Sequence, residues 1–389
     1  MPLNKKLDPT HTGQDAEKLC TDLHNKVVGQ DEAISQIVNT YQMYLAGMNN
    51  PSRPIGNFLF LGPTGSGKTR LVEAVAESLA GDARAIVKID CAEFQHSHEI
   101  AKLIGSPPGY LGHRETHPLL SQDVLNQYYT ENTRLSFVLF DEIEKASDAL
   151  WNLLLGVLDK ATLTLGDNRR VDFSRTLIFM TSNLGAAEMG SIVTPRLGFA
   201  ASEVERRNGH EQLDDRTADK ISRVGLAAAR RKFTPEFMNR IDKVVVFKLL
   251  GQVELRRILE LELGSLQMRI FDSSTTTPFV FSLTPAAKDY LLREGTDMKY
   301  GARHLKRAID RSLVHAMSNL VATGQVRRGD FVKVGFDPDT NGMTFMKEAE
   351  NMPALAMLQM MEASPRLSVH SVSVGAPGQG SVKAARARR

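Results

Sequence analysis

A glycine-rich octapeptide has the composition of a phosphate-binding loop. It lies between a short apolar run, residues 58–61, and a helical pattern beginning near Arg70, and it reads Gly62-Pro63-Thr64-Gly65-Ser66-Gly67-Lys68-Thr69. The glycines let successive backbone N–H groups converge on phosphate oxygens, and the following helix adds its dipole. Lys68 is expected to reach the terminal phosphates, and Thr69 to bind Mg²⁺. The loop, with its flanking strand and helix, therefore predicts a site for ATP or a similar nucleotide.

Two adjacent carboxylates follow a second apolar run, residues 137–140. They lie at the carboxyl end of a predicted strand, the edge of an open parallel sheet at which ligands bind. Asp141 is expected to reach the Mg²⁺ shell, and Glu142 to polarise the attacking water as general base. Asn183, at the end of the run 176–182, is expected to orient the same water. Alone, the acids would suit a helix cap and Asn183 a turn; the phosphate loop favours catalysis.

Short apolar runs separated by helix-length segments organise the chain. We predict five buried parallel strands at 58–61, 85–89, 137–140, 176–180 and 244–247. After an N-terminal extension (1–22), these predict a three-layer α/β domain over 23–249, in which 186–231 is an insertion made of a loop and a solvated helix. Residues 250–346 predict a smaller, mainly helical α/β domain with strands at 279–283 and 331–334. Residues 347–389 predict a disordered basic tail.

Composition and charge exclude several classes of protein. The 389 residues carry 48 Lys and Arg against 45 Asp and Glu, a net charge of +3. This near balance, and a tail without interleaved aromatics, argue against nucleic acid as a partner. Two cysteines are too few for a disulfide framework or a four-ligand zinc site. The apolar runs are shorter than the ~20 residues of a membrane span, so we expect no membrane partner and a cytoplasmic location.

A series of stretches over about residues 26–334 resembles the Clp unfoldases of the AAA+ class, in particular the second ATPase ring of ClpB, ClpA and ClpC. The stretches cover residues 27–33, 53–69, 103–112, 141–146, 171–173, 180–185, 233–242 and 300–303. The resemblance implies an AAA+ P-loop domain followed by a lid domain, ATP hydrolysis with Mg²⁺, and a homo-hexameric ring with ATP bound between subunits. It adds Val28 to the nucleotide-binding residues.

The resemblance also implies roles for three residues outside the phosphate loop. Arg240 matches the arginine finger that reaches the γ-phosphate of a neighbouring subunit. Arg303 matches the second sensor, which ties nucleotide state to domain angle. Tyr110 matches the pore-loop aromatic that grips polypeptide substrates; an aromatic ring between flexible glycines can contact any backbone. The implied function is a motor that threads proteins through a pore.

Two features leave this function open. After Gly112 the chain departs from the family, because residues 113–118 replace an aromatic, acids and paired glycines. This departure favours an alternative, a non-threading assembly or remodelling factor for a specific partner. In the insertion, Leu197-Gly198-Phe199 lies where protease-docking members carry a short hydrophobic tripeptide that contacts a ClpP-type protease; the alternative there is a locally packed loop.

Overall fold

The computed structural model describes residues 8, 11–106, 118–130, 133–193, 215–272, 278–295 and 301–363. These residues form two compact units. The first contains the described residues up to 262 together with those between 289 and 313; the second contains those between 263 and 288 and from 314 onward. Within the described ranges, no helix has both the length and the apolar composition needed to cross a membrane.

The first unit is organised by a parallel sheet. Its strands, in chain order, are β1 (Gly56–Leu61), β2 (Val87–Asp90), β3 (Ser136–Asp141), β4 (Thr162–Thr164), β5 (Arg170–Asp172), β6 (Thr176–Ser182) and β7 (Lys243–Val246). Five of them form one sheet in the order β2-β3-β6-β1-β7, with every neighbouring pair parallel. β4 and β5 form a separate antiparallel pair. The predicted α/β class is confirmed.

Helices flank the strands along the chain. In chain order they are α1 (Gln14–Lys26), α2 (Asp31–Leu45), α3 (Lys68–Ala80), α4 (Ala101–Ile104), α5 (Gln122–Asn126), α6 (Asp148–Lys160), α7 (Ala186–Val193), α8 (Asp215–Lys232), α9 (Pro235–Met238), α10 (Gln252–Asp272), α11 (Pro285–Gly295), α12 (Ala302–Ile309), α13 (His315–Ala322) and α14 (Ala354–Ala363). A π-helical turn, Asp310–Val314, separates α12 from α13.

Alternate residues of the central strands contribute to two apolar cores. Phe58 and Phe60 of β1 pack with residues of α1, α2 and α3. Leu59 and Leu61 belong to the other core, together with residues of α6 and α8. Because successive side chains of a strand point to opposite faces, the central strands β1, β3 and β6 are buried on both faces. This explains why these three strands are nearly continuous apolar runs in the sequence, whereas β2 at the edge alternates buried and exposed residues.

The carboxyl ends of three neighbouring strands meet at one edge of the sheet. In the β1–β6 pair, Leu61 lies opposite Ser182. Asp141 ends β3, which pairs with the other side of β6. The phosphate loop follows Leu61 directly, and Asn183 follows Ser182. The topology therefore places the loop, the carboxylates and the asparagine at the edge where ligands bind in sheets of this kind.

The insertion contains helices at both ends. The predicted solvated helix corresponds to α8, and α7 occupies part of the predicted loop. α8 buries Ile221 and Ala229, and Arg231 forms an ion pair of 3.2 Å with Glu188 of α7. α8 is therefore packed against the unit along one side and is not wholly solvated. Residues 194–214 lie outside the described residues.

The second unit contains a three-stranded sheet. Its strands are β8 (Val280–Leu283), β9 (Phe331–Asp337) and β10 (Gly342–Ala349), in the order β10-β9-β8. β8 and β9 are parallel, and β9 and β10 antiparallel. Here the structure differs from the predicted tail, because residues from 347 onward include the end of β10 and α14. The Met352 N–H donates to the Gly329 carbonyl at 2.7 Å, and Met357 is buried.

Candidate ATPase site

The phosphate loop connects β1 to α3. Gly62, Gly65 and Gly67 have φ values of 151°, 81° and 99°, a region that glycine adopts most readily. A Cβ atom on Gly62 would also lie 3.1 Å from the main-chain oxygen of Phe247. α3 begins at Lys68, slightly before the predicted start near Arg70. The loop therefore leads directly into the amino-terminal end of a helix, where free N–H groups and the helix dipole favour anions.

Lys68 is a buried cation in this first helical turn. Its Nζ donates to the carbonyl oxygens of Gly62 at 2.7 Å and Pro63 at 2.9 Å, and to Oδ1 of Asn183 at 2.9 Å. Burial lowers the pKa of Lys68 to about 8, although nearby carboxylates, first among them Glu144, act to raise it. All three hydrogen-bond acceptors are neutral. A buried ammonium without a directly bonded anion fits the phosphate oxygens of a nucleotide.

Thr181 of β6 contacts both predicted carboxylate residues. Its hydroxyl donates to Oδ1 of Asp141, and its Oγ1 accepts the backbone N–H of Glu142 at 3.1 Å. Lys88 of β2 places Nζ 3.2 Å from Oδ2 of Asp141. Glu142 has a φ of 56°, a left-handed conformation that costs a non-glycine residue roughly 1–3 kcal/mol and is frequent at functional sites.

Asn183 joins the phosphate loop to the carboxylates. Its Oδ1 accepts from Lys68, its Nδ2 donates to Oε1 of Glu142 at 3.2 Å, and its backbone N–H donates to Oε1 of Glu144 at 3.1 Å. The structure thus brings together Lys68, Glu142 and Asn183, while their roles in hydrolysis stay predictions. Among the described residues, Oε2 of Glu144 is buried without a hydrogen-bond partner.

Thr181 and Glu144 were not among the residues predicted from the sequence. Thr181 is nearly fully buried near the end of β6, and Glu144 lies in a 3₁₀ turn after the carboxylate pair. The available signal was proximity: Thr181 precedes Asn183 by two positions, and Glu144 follows Glu142 by two. Neither spacing specifies a contact, because the contacts depend on how β3 and β6 are paired.

Asp141 and Thr69 offer oxygen atoms of the kind that Mg²⁺ prefers. Mg²⁺ is usually bound by one or two carboxylates together with substrate phosphates and water. The Asp141 side chain is 22% exposed, and Thr69 lies in the first turn of α3. In the part of the chain that the structure describes, no group of three or more His, Cys, Asp or Glu residues forms a metal cage. The residues fit a magnesium ion that binds together with a nucleotide.

A shallow pocket adjoins the phosphate loop. It is lined by Pro63, Thr64, Gly65, Ser66, Leu249, Leu250 and Gly301. Gln30 is buried beside it: its Nε2 donates to the carbonyls of Ser66 at 3.1 Å and Lys248 at 3.0 Å, and its Oε1 accepts from the Lys248 N–H at 3.0 Å. Gln30 therefore ties the loop to the segment after β7. Val28, the predicted nucleotide contact near Gln30 in sequence, is buried.

The start of α12 contacts the phosphate loop. The N–H of Ala302 donates to the carbonyl of Gly65 at 3.2 Å. Gly301 has a φ of 52°, and a Cβ atom there would lie 2.9 Å from the same carbonyl oxygen. Arg303 is the next residue of this helix, and its charge acts to lower the pKa of Lys68. Arg303 therefore lies near the predicted site, as a sensor of nucleotide would.

Arg240 lies at the other end of β1. Its carbonyl accepts from Nδ2 of Asn57 at 3.2 Å. Asn57 is near the start of β1, and Leu61, which precedes the phosphate loop, ends it. At a rise of about 3.3 Å per residue, the contact of Arg240 with Asn57 lies roughly 15 Å from the phosphate loop. The guanidinium pairs with Asp159, and with Glu236 at 3.4 Å; the hydrogen bond with Asp159 raises the pKa of Arg240. The structure therefore separates Arg240 from the phosphate loop of its own chain.

Four further predicted residues lie outside the described residues. They are the pore-loop Tyr110 and the docking tripeptide Leu197, Gly198 and Phe199. Their roles stay predictions from the sequence.

A phosphate loop, paired carboxylates and a strand-terminal asparagine at one sheet edge define a P-loop nucleoside triphosphatase. Residues 53–244 match the AAA domain (Cdc48 subfamily), and residues 250–334 match the C-terminal, D2-small domain of ClpB protein. The chain belongs to the Clp group of AAA+ ATPases, of the type found as the second ATPase module of ClpB. It is accordingly a nucleotide-binding enzyme that hydrolyses ATP.

Similar proteins include chaperones and protease subunits. The chain is 39% identical over 320 residues to the chaperone protein ClpB of Pseudomonas putida, covering 82% of this chain and 33% of that protein. It is 38% identical over 315 residues to the ATP-dependent Clp protease ATP-binding subunit ClpC of Staphylococcus saprophyticus, covering 81% and 36%. The chain thus spans about a third of the length of these curated relatives.

Among solved structures, the fold is similar to that of Hsp104 in a closed state with ATPγS and FITC-casein. The match has a TM-score of 0.68 and 29% sequence identity, and it covers 85% of this chain and 52% of that chain. This likeness agrees with the AAA+ fold found in the first unit.

Proposed function

We propose that the chain is an ATP-driven motor module that assembles into a homo-hexameric ring and threads polypeptides through its central pore. The observation that carries the ATPase part is the contact series from Lys68 through Asn183 to Glu142, because it connects the expected γ-phosphate position with the expected water-activating group. The relatives named as a chaperone and as a protease subunit support protein substrates.

Hydrolysis in the proposed site is divided among side chains of one sheet edge. Lys68 exchanges its carbonyl partners for phosphate oxygens. Glu142 accepts a proton from the attacking water, and Asn183 orients that water. Thr69 and Asp141 would hold Mg²⁺, which when bound neutralises charge on the phosphates. Val28 and the remaining loop residues would bind the rest of the nucleotide.

Arg240 and Arg303 complete the proposed site from different sides. Arg303 acts within its own chain, supported by the contact between the start of α12 and the phosphate loop. Arg240 acts on a neighbouring subunit, supported by its separation from its own loop. Both of its terminal nitrogens face carboxylates, those of Asp159 and Glu236. The guanidinium must therefore exchange these partners when it contacts a neighbour's γ-phosphate.

The handling of polypeptide depends on Tyr110, which in this proposal grips the threaded chain. A non-threading assembly or remodelling factor is the second candidate, favoured by the departure of residues 113–118 from the family pattern. Docking of a ClpP-type protease through Leu197, Gly198 and Phe199 is a further proposal, supported by the similarity to ClpC. A cytoplasmic location, expected from the sequence, is likewise part of the proposal.

Substrate trapping tests the proposed function. The Glu142→Gln protein should bind ATP, hydrolyse it at least ~100-fold more slowly, and retain polypeptides that can be identified. These polypeptides then serve as substrates for Tyr110→Ala and its control Tyr110→Phe. Tyr110→Ala should hydrolyse ATP without unfolding its substrate, and Tyr110→Phe should retain most unfolding because the grip uses the ring face.

The outcomes of this experiment separate the candidates. Normal turnover by Glu142→Gln would contradict the ATPase assignment. Unimpaired remodelling of a trapped substrate by Tyr110→Ala would reject threading and leave the assembly factor.

A further inference from the structure

Thr181 is a buried polar residue whose hydroxyl contacts both carboxylate residues of the site. It lies near the end of β6, with a relative exposure of 1%. A threonine hydroxyl has one hydrogen to donate and lone pairs that accept. Here the hydrogen goes to Oδ1 of Asp141, and a lone pair accepts the backbone N–H of Glu142 at 3.1 Å. This one side chain therefore fixes two neighbouring residues of β3 and the turn after it.

The two contacts hold different parts of the site. The bond to Asp141 fixes one carboxylate oxygen, while Lys88 lies 3.2 Å from the other. The bond to Glu142 holds a backbone N–H in a residue whose left-handed φ of 56° needs support from its surroundings. The direction of the Glu142 side chain follows from that backbone. In this arrangement its Oε1 accepts from Nδ2 of Asn183 at 3.2 Å, and its Oε2 pairs with Nζ of Lys145 at 2.5 Å.

We propose that Thr181 is a positioning residue that aligns the metal-binding carboxylate of Asp141 and the general base Glu142 through one hydroxyl. The inference rests on the proposed function of these two residues. An isosteric valine at position 181 would leave a carboxylate oxygen and an N–H without their partner in a partly buried setting. Valine would still fit at this position, but the carboxylates of Asp141 and Glu142, which are expected to contact the magnesium ion and the attacking water, would be displaced.

The experiment compares Thr181→Val with two controls in the full chain. Thr181→Ser keeps a hydroxyl at the same position. Thr176→Val makes the same chemical change in an equally buried threonine at the opposite end of β6. We expect Thr181→Val to lower kcat by about 10- to 100-fold, the scale of loss when catalytic groups are misplaced by about 1 Å. Both controls should retain most turnover, and all variants should bind ATP without Mg²⁺ equally well.

Two measurements distinguish positioning from a general loss of structure. In the Glu142→Gln background at saturating Mg²⁺, Thr181→Val should cause no further loss of hydrolysis, because the remaining effect on the chemistry passes through Glu142. In that same background, a fluorescent ATP analogue should need more Mg²⁺ for tight binding when Thr181 is valine, because Asp141 is misaligned. Normal kcat and an unchanged Mg²⁺ midpoint in Thr181→Val would overturn the inference.

The failure of this inference can be told from the failure of the proposed function. If Glu142→Gln turns over ATP normally, the function assigned to the site is wrong. If Glu142→Gln is inactive while Thr181→Val is fully active, only the role of Thr181 is wrong. Equal losses in Thr181→Val and Thr176→Val would reduce Thr181 to a structural residue of β6.

Discussion

Subunit mixing tests whether Arg240 acts across a subunit boundary. An arginine supplied in trans is worth about 10³-fold or more in rate, so Arg240→Ala alone should lose about that factor, and Lys68→Ala alone should be inactive. In an equal random mixture, a working interface needs an Arg240→Ala subunit that supplies the phosphate loop and a Lys68→Ala subunit that supplies the arginine. Each of the two neighbouring subunits is the required variant with a probability of one half, so about one quarter of the interfaces should work and about one quarter of wild-type turnover should return.

A matched mixture controls for nonspecific rescue. Lys68 and Glu142 act within one chain, where the structure connects them through Asn183. An equal mixture of Lys68→Ala and Glu142→Gln subunits should therefore recover nothing, because no interface contains both intact residues on one subunit. The assay is phosphate release after subunit exchange, with exchange verified by fluorescence transfer between labelled subunits. Full turnover by Arg240→Ala alone, or no recovery after verified exchange, would refute the trans assignment.

Three further predictions concern residues around the phosphate loop. Lys68 has a pKa of about 8 and loses its proton above that pH, whereas bound phosphate favours its charged form. The ATP affinity measured without Mg²⁺ should therefore fall about tenfold from pH 7 to pH 9. Lys68→Arg should abolish this pH dependence, and an equal pH dependence of ATP affinity in both proteins would contradict the prediction. Glu144→Ala leaves the Asn183 N–H unpaired and should lower kcat by about tenfold with little change in ATP affinity, whereas Glu144→Gln should retain most turnover. Equal kcat values in the wild type and both variants would show that this hydrogen bond does not contribute to hydrolysis. Gln30→Ala removes three hydrogen bonds of 3.0–3.1 Å and should lower the free energy of unfolding by about 1–3 kcal/mol in urea titrations; no loss of stability would show that the bridge is dispensable.

The local parts of the site were predictable from the sequence. Gly62, Gly65 and Gly67 have the positive φ values that a phosphate loop requires, and Lys68 begins the expected helix. These features depend on a few consecutive residues, so their spacing alone determines the conformation. Asn183 directly follows the buried strand β6, and the apolar run 176–180 identifies that strand in the sequence. The α/β class follows from the same runs, because strands buried on both faces are apolar throughout.

Contacts that depend on strand pairing were not predictable in the same way. The backbone N–H, carboxylate and hydroxyl groups that meet at Thr181 and Glu144 come from β3, the end of β6 and the turn between β3 and α6, about 40 positions apart. The C-terminal part of the second unit shows the same limit. Its composition predicted disorder from residue 347, but Lys347 pairs with the buried Asp330 at 2.9 Å, a contact that composition does not reveal.

The contacts of Arg240 show how a residue can have a fixed backbone and an exchangeable side chain. Its carbonyl accepts from Asn57, whose Nδ2 also donates to the carbonyl of Leu158 at 3.0 Å. Asn57 is fully buried, so moving the Arg240 backbone would leave buried polar groups unpaired at a cost of about 1–3 kcal/mol each. The Arg240 side chain is 26% exposed, and its two carboxylate partners, Asp159 and Glu236, are 42% and 63% exposed, where ion pairs contribute little. A guanidinium that can exchange both of its exposed partners, on a backbone held by a hydrogen bond from the buried Asn57, has the properties that a residue acting on a neighbouring subunit requires.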